Sequence, residues 1–211
     1  MGRRPGIDGR ELLLSAALRL FSEQGIDAIS IRAVNREAGL GPASVHYHFG
    51  TKDALVEAVV HAYGEAVIST TKARAQEILK AGVPATARDL VTMLSEPYLD
   101  LMQAEPEKGV AWVRVISSLL QSQPDLILDR PSARLTWNAA SRVYPDAEPE
   151  AVQRAMRMVF TLLVTQLAQA RRSRRGIFSL DLDLLIDFLS AGLDAVLSQS
   201  EPVAGRRSRA S

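Results

Sequence analysis

At 211 residues, 47% of them hydrophobic and 23% charged, the chain is long enough for one large globular domain or two small ones. Its lack of cysteine excludes disulfides, thiolate metal sites and cysteine nucleophiles, and with no apolar run of roughly 18 residues a membrane span is not expected. The N-terminus MGRRPGIDGREL is charged and lacks the apolar stretch of a signal peptide, so a cytoplasmic location is expected; the net charge is only +1.

Taken in chain order, nearly every segment reads as helix, and no alternating strand of useful length is present. Apolar side chains at 13, 16, 17, 20 and 21 follow the i, i+3, i+4, i+7, i+8 spacing of one buried helical face. Asp8 and Glu11 are spaced as an N-cap and its reciprocal acid, and Gly25 can end that helix in the left-handed conformation. Ser30 can cap a short helix from Ile31 to Ala38 that Gly39 stops. Pro42 then stands where a helix accepts its first residue, opening a second short helix through Tyr47. Thr51 caps a long helix to about Lys80, roughly 40 Å at 1.5 Å per residue, with Asp53 complementing its positive end. Prolines at 84, 106, 124, 131, 145 and 149 separate the remaining helices, and Pro97, inside the fifth helical segment, predicts a kink. Ala151 to Arg172 is long and half apolar, while Leu180 to Leu197 is apolar on nearly all sides. Both are expected to bury one face on the core and another against a second chain.

Residues 30 to 47 therefore have the spacing of two short helices joined by a tight glycine turn, a helix-turn-helix. Gly39 permits the turn, Leu40 plugs the angle between the helices and Val45 anchors the second helix. Asn35 stands where such units usually carry alanine, and it fits only with a hydrogen-bond partner. Seven Lys/Arg and seven Asp/Glu share the first 61 residues, so any positive surface there must come from arrangement, not excess.

The run LFSEQGIDAISIRAVNREAGLGPASVHYHFGTKDALVEAV resembles the N-terminal domain of the TetR (tetracycline-repressor-like) transcriptional regulators. It does so in Phe21, Gly25, the Gly39-Leu40 turn, the ending from Tyr47 to Leu55, and the long helix that follows. The resemblance covers roughly residues 10 to 60. It implies an all-α protein: a three-helix helix-turn-helix domain over 1–50, then a larger helical ligand-sensing and dimerisation domain over 51–200; residues 1–8 read as a flexible arm and 201–211 as a disordered tail. It places Pro42, Ala43, Ser44, His46 and Tyr47 on the recognition helix, Arg32 within reach of a base or the backbone, and His48 and Lys52 at phosphate-clamping positions. Tyrosine more often stands at position 46 in the family.

Residue chemistry is compatible with these roles. Small side chains such as Ala43 and Ser44 let a helix approach base edges closely, and His46 and Tyr47 carry polar tips on apolar bodies. Other readings compete. As metal ligands His46 and His48 lack a third and fourth partner and point roughly 200° apart on a helix. As catalysts they lack a neighbouring nucleophile or orienting acid. Tyr47 and His48 can also serve to complete the core and cap of a small domain. GRRPG at the start reads either as an arm for a minor groove or as a solvated tail; ARRSRRG, 170–176, reads as a basic helix end and the terminal GRRSRAS as disordered.

In the middle of the chain Met93, Tyr98, Met102, Trp112, Ile116, Trp137 and Phe160 are large side chains on helices that should surround one interior. They form either plain core or, with Pro97 opening space, a pocket for an apolar or aromatic ligand with one polar handle. The resulting expectation is a non-enzymatic regulator, without cofactor or metal. It would bind a palindromic double-stranded DNA operator as a homodimer, paired through the helices near 151–172 and 180–197, and a small molecule would release it. The alternative is a DNA-binding regulator whose larger domain serves only dimerisation or a protein partner, and which has no ligand-sized cavity around Trp112 and Tyr98.

Overall fold

The computed structural model describes residues 8–80, 82, 84–170 and 180–198. The described residues form ten helices and no strand. The head consists of α1 (Gly9–Gln24), α2 (Ile31–Glu37) and α3 (Ser44–Phe49). The body follows as α4 (Lys52–Lys80), α5 (Ala87–Ala104), α6 (Pro106–Ser122), α7 (Asp125–Leu128), α8 (Pro131–Val143), α9 (Pro149–Gln169) and α10 (Leu182–Leu197).

Local chemistry sets most boundaries. Asp8 caps α1 by accepting from the Arg10 backbone N–H at 3.2 Å, Ser30 caps α2 through the Ala33 N–H, and Thr51 accepts from the Ala54 N–H at the start of α4. Gly25 ends α1 with a positive φ of 81°, but its ψ of 155° is extended and not the left-handed helical value expected. Thr86 and Asp89 form a reciprocal capping box at the start of α5. Pro106, Pro131 and Pro149 each open a helix, where their missing N–H costs no bond. Pro97 lies buried within α5, which continues unbroken through it to Ala104.

The first helix contributes Leu13, Ala17 and Phe21 to the core, all at most 1% exposed, and packs on α2, α3, α4 and α6. The longest helix, α4, runs from the head into the body, where α5, α6 and α8 pack on it. Glycine sets two close approaches. A Cβ at Gly64 on α4 would fall 2.1 Å from Trp112 Cζ2, and one at Gly109 on α6 would fall 2.8 Å from the Leu101 carbonyl oxygen of α5. Ion pairs join distant elements: Arg19 of α1 with Glu37 of α2, Arg74 of α4 with Glu96 of α5, and Arg88 of α5 with Asp187 of α10.

The last two helices pack on each other and leave large apolar side chains in solvent: Met158 and Leu162 one turn apart on α9, and Leu184 and Phe188 one turn apart on α10. Their outer faces are less uniformly apolar than expected. Asp187 and Asp194 lie exposed on α10, with Asp194 accepting from the Tyr144 hydroxyl at 2.7 Å. Of the basic segments, GRRPG and GRRSRAS lie outside the described residues, as does all of ARRSRRG after Ala170.

Candidate nucleic-acid interface and interior cavity

The turn between α2 and α3 is built around Asn35, which is 2% exposed. Its side-chain amide donates to the Pro42 carbonyl at 2.7 Å, its side-chain carbonyl accepts from the Val45 N–H at 3.0 Å, and its main-chain carbonyl accepts from the Leu40 N–H at 2.9 Å. The residue at the N-cap of α3 is Ala43, which has no oxygen to offer the first free N–H groups of that helix. Asn35 supplies the missing cap from the neighbouring helix, so each polar atom of this side chain at a close-packed position has a partner.

This arrangement also corrects the expected start of α3. Pro42 is not the first helical residue. It sits at the second position of a turn closed by the Ser44 N–H on the Gly41 carbonyl at 3.0 Å, with Ala43 in the bridge conformation (φ −91°, ψ −2°). A proline at that position is what a type I turn favours. The helix proper begins at Ser44 and continues past Tyr47 to Phe49, ending at Gly50 with φ 76°.

On α3, Val45 is fully buried and Phe49, one turn later, is half-buried, so these two form the inner face. His46 and Tyr47 point outward. Tyr47 is 84% exposed, which removes the possibility that its ring completes the core. His46 Nδ1 lies 2.7 Å from the Gly50 carbonyl; a carbonyl only accepts, so Nδ1 carries the proton and Nε2 is left for an outside partner. His48 is half-buried, its ring edge-on to Tyr47 at 5.0 Å, and a Cβ at Gly9 would lie 3.3 Å from its Nε2. Pro42, Ala43 and Arg32 are exposed, while Ser44 and Lys52 are half-buried. The two histidines are therefore not a converging pair.

The charge arrangement follows the same division. Glu23 and Glu37 face Arg19 on the α1–α2 side, whereas Arg32 and Lys52 form no ion pair among the described residues. Arg10 adds a cation that the sequence reading missed: its guanidinium stands 5.3 Å from the centre of the Phe49 ring, bringing the first turn of α1 to the end of α3. A contact spanning 39 positions leaves no local trace in the sequence.

The second feature is a cavity of about 70 Å³ in the body. Of the seven side chains expected to surround one interior, Tyr98, Trp112, Ile116, Trp137 and Phe160 line it, and Tyr98 lies 5.5 Å from Trp112 and 6.0 Å from Phe160 by ring centres. Met93 and Met102 do not. Leu94 and Tyr98, one turn apart, are the α5 residues that face the cavity, and Met93 is rotated about 100° from Leu94. Met102 is buried where α5 crosses α6 at Gly109. The Trp112 indole donates to the Val60 carbonyl at 3.0 Å and rests against Gly64, which ties the cavity wall to α4. Burial raises the Tyr98 phenol well above its ordinary pKa, keeping it neutral. Thr71 and Arg130 also line the cavity, and nothing in their sequence neighbourhoods marks them.

Comparison with known proteins bears on both features. Residues 13–59 match the sequence model described as "Bacterial regulatory proteins, tetR family". The chain is 31% identical over 114 residues to the HTH-type transcriptional regulator BetI of Rhizobium meliloti (strain 1021), covering 54% of this chain and 53% of that protein. It is 33% identical over 51 residues to the HTH-type transcriptional regulator UidR of Escherichia coli (strain K12), covering 24% of this chain and 26% of that one. It thus spans about half the length of the first relative and a quarter of the second. In fold it is similar to a tetR-family bacterial regulatory protein from Rhodococcus RHA1, with a TM-score of 0.56 at 20% identity over 90% of this chain and 98% of the other. A TetR family transcription regulator from Marinobacter aquaeolei VT8 gives a TM-score of 0.56 at 17% identity over 89% and 95%. At its head the chain therefore carries a domain that matches the tetR family of bacterial regulatory proteins, and over its described length it is similar in fold to members of that family.

Proposed function

We propose that the protein is a DNA-binding transcriptional repressor that acts as a homodimer on a palindromic operator and is released by a small molecule bound in the body. The observation that carries the DNA-binding part is the outer face of α3: Tyr47 and His46 stand in solvent on a short helix whose start is held rigid by Asn35. In this reading Pro42, Ala43, Ser44, His46 and Tyr47 meet bases and adjoining phosphates, Arg32 meets a base or the backbone, and His48 and Lys52 clamp phosphates. The exposed stripe of Met158, Leu162, Leu184 and Phe188 supports pairing through α9 and α10. Recognition helices on successive major-groove faces require a separation of roughly 34–36 Å, and one helix, α4, both begins at Lys52 and lines the cavity through Val60, Val67 and Thr71. A ligand favouring the wrong separation weakens binding, and a coupling of about 1–3 kcal/mol suffices.

The test is selection of bound duplexes from a random DNA pool at fixed near-physiological salt, because phosphate contacts make affinity steeply salt-dependent. Enrichment of an inverted repeat is the expected outcome; enrichment of a single half-site would remove the dimeric reader. One observation favours a second reading, a regulator without a small ligand: about 70 Å³ is less than half the roughly 150 Å³ of an engineered cavity that admits benzene. Soluble expression of a release-insensitive protein whose operator affinity no small molecule changes would support it. No described helix is long and apolar enough to cross a membrane.

A further inference from the structure

Among the described residues three buried side-chain polar atoms have no hydrogen-bond partner: Thr71 Oγ1, Trp137 Nε1 and Arg130 Nη2. All three residues line the same cavity. Buried polar groups are paired in the great majority of cases, so three unpaired on one apolar cavity call for an explanation.

Thr71 shows that the lack of a partner is not a general habit of these helices. Ser69, Ser95, Thr136 and Ser190 all turn their hydroxyls back to a carbonyl three or four residues earlier, the usual solution for such a side chain in a helix. Thr71 does not, although it is only 9% exposed. Trp137 is 7% exposed, and its indole N–H can only donate.

Arg130 supplies the charge. Its side chain is 16% exposed, its Nε donates to the Leu126 carbonyl at 2.6 Å, and its Nη1 lies 3.4 Å from His61 Nε2. Its Nη2 stands 3.8 Å from a Glu57 carboxylate that is itself mostly in solvent, too far for a hydrogen bond. Burial lowers the pKa of this guanidinium and Glu57 only partly opposes that. Arg130, Ile68 and Ser132 also line a surface groove with Glu57, His61 and Lys72, so the guanidinium stands between groove and cavity.

Two obligate donors and a hydroxyl, one of the donors cationic, at an otherwise apolar cavity specify an acceptor-rich anion on a small apolar body. We propose that the effector is a small aliphatic or single-ring carboxylic acid in its anionic form, its tail among Trp112, Tyr98 and Phe160 and its carboxylate on Arg130, with Trp137 and Thr71 completing the acceptor contacts. This rests on the ligand-sensing reading above and narrows it to a chemical class; a cavity of about 70 Å³ must widen to take such a tail, and that widening against α4 is the displacement the ligand-sensing reading requires. A guanidinium fork suits a carboxylate, and pairing an incoming carboxylate with Arg130 would loosen its hold on Glu57 of α4.

The chain has two tryptophans, Trp112 and Trp137, and both line the cavity, so intrinsic emission of the full-length protein reports occupancy without DNA. Hexanoate and phenylacetate would be titrated against their uncharged counterparts, hexanamide and phenylacetamide. The expected result is that at least one acid changes the emission at concentrations tenfold or more below its amide. Arg130→Gln should erase that preference and Arg130→Lys retain part of it, with helical circular dichroism unchanged. If the amides bind as well as the acids in the unaltered protein, or Arg130→Gln keeps the preference, the carboxylate assignment falls and the sensing cavity stands. If no probe of either kind changes the emission, the carboxylate assignment falls, while the sensing reading is decided separately by whether any small molecule changes operator affinity.

Discussion

Two regions bury polar side chains, and they treat them in opposite ways. In the turn of the head, Asn35 is 2% exposed and both polar atoms of its side chain are engaged, by Pro42 and Val45, as is its main-chain carbonyl, by Leu40. In the body, Thr71, Trp137 and Arg130 each present an atom with no partner. The first arrangement is complete within the chain and its product is shape, a short helix held at a defined angle. The second is incomplete within the chain and is therefore where an outside molecule has most to offer. Buried polarity alone separates neither role; whether it is satisfied does.

That contrast can be broken most directly at Asn35. Asn35→Ala strips the Val45 N–H and the Pro42 carbonyl of their partners, and urea unfolding should show a loss of about 2–3 kcal/mol. Adding Ala43→Ser, which gives α3 a cap of its own, should restore about 1 kcal/mol. An unchanged unfolding curve for the single variant would mean that the turn does not depend on the asparagine. Next in size is Gly64→Ala, whose methyl group would meet Trp112 at 2.1 Å; overpacking of this kind costs about 1–3 kcal/mol, and tryptophan emission should shift with the melting temperature. Emission identical to that of the unaltered protein would show that the cavity wall is not set there. At the exposed face of α3, Tyr47→Ala should leave stability within about 0.5 kcal/mol while operator affinity falls about tenfold or more, as measured by fluorescence anisotropy on the selected duplex. Equal affinity would remove Tyr47 from the interface. The smallest effect sharpens the contrast from the other side. Thr71→Val replaces an unpartnered hydroxyl with a methyl group and should raise stability by about 1 kcal/mol without ligand, the opposite sign to Asn35→Ala. A loss there would show that Thr71 has a partner after all.

The head was more legible in the sequence than the body, for a physical reason. Its signals are local: Asp8, Ser30 and Thr51 cap the helices they precede, Gly39 takes φ 66° where the turn needs it, and the anomaly at Asn35 is visible because the surrounding pattern is short and regular. What stayed hidden even there was the identity of the asparagine's partners, and with it the displacement of Pro42 from the helix into the turn. In the body the periodicity located helices and large side chains but not their rotation. Met93 and Met102 satisfy the same pattern as Tyr98 and still miss the cavity: Met93 stands one position, about 100°, from the cavity-facing Leu94, and Met102 lies one turn beyond Tyr98, where α5 crosses α6 at Gly109. Gly64 and Arg130 were invisible for a different reason. Each matters through a residue 48 or 73 positions away from it, Trp112 for the glycine and Glu57 for the arginine, and no window of sequence contains both members.

The apolar stripe of α9 and α10 has a consequence for abundance. In a lone subunit Met158, Leu162, Leu184 and Phe188 stand in water, where chaperones and proteases engage such surfaces. If this stripe is the dimer seam, the free energy holding each fold together includes an association term that grows with the logarithm of subunit concentration. A cell holding few copies would then keep each one less securely than a cell holding many. The dose of the regulator, set by its own gene, would enter its lifetime as well as its occupancy of DNA.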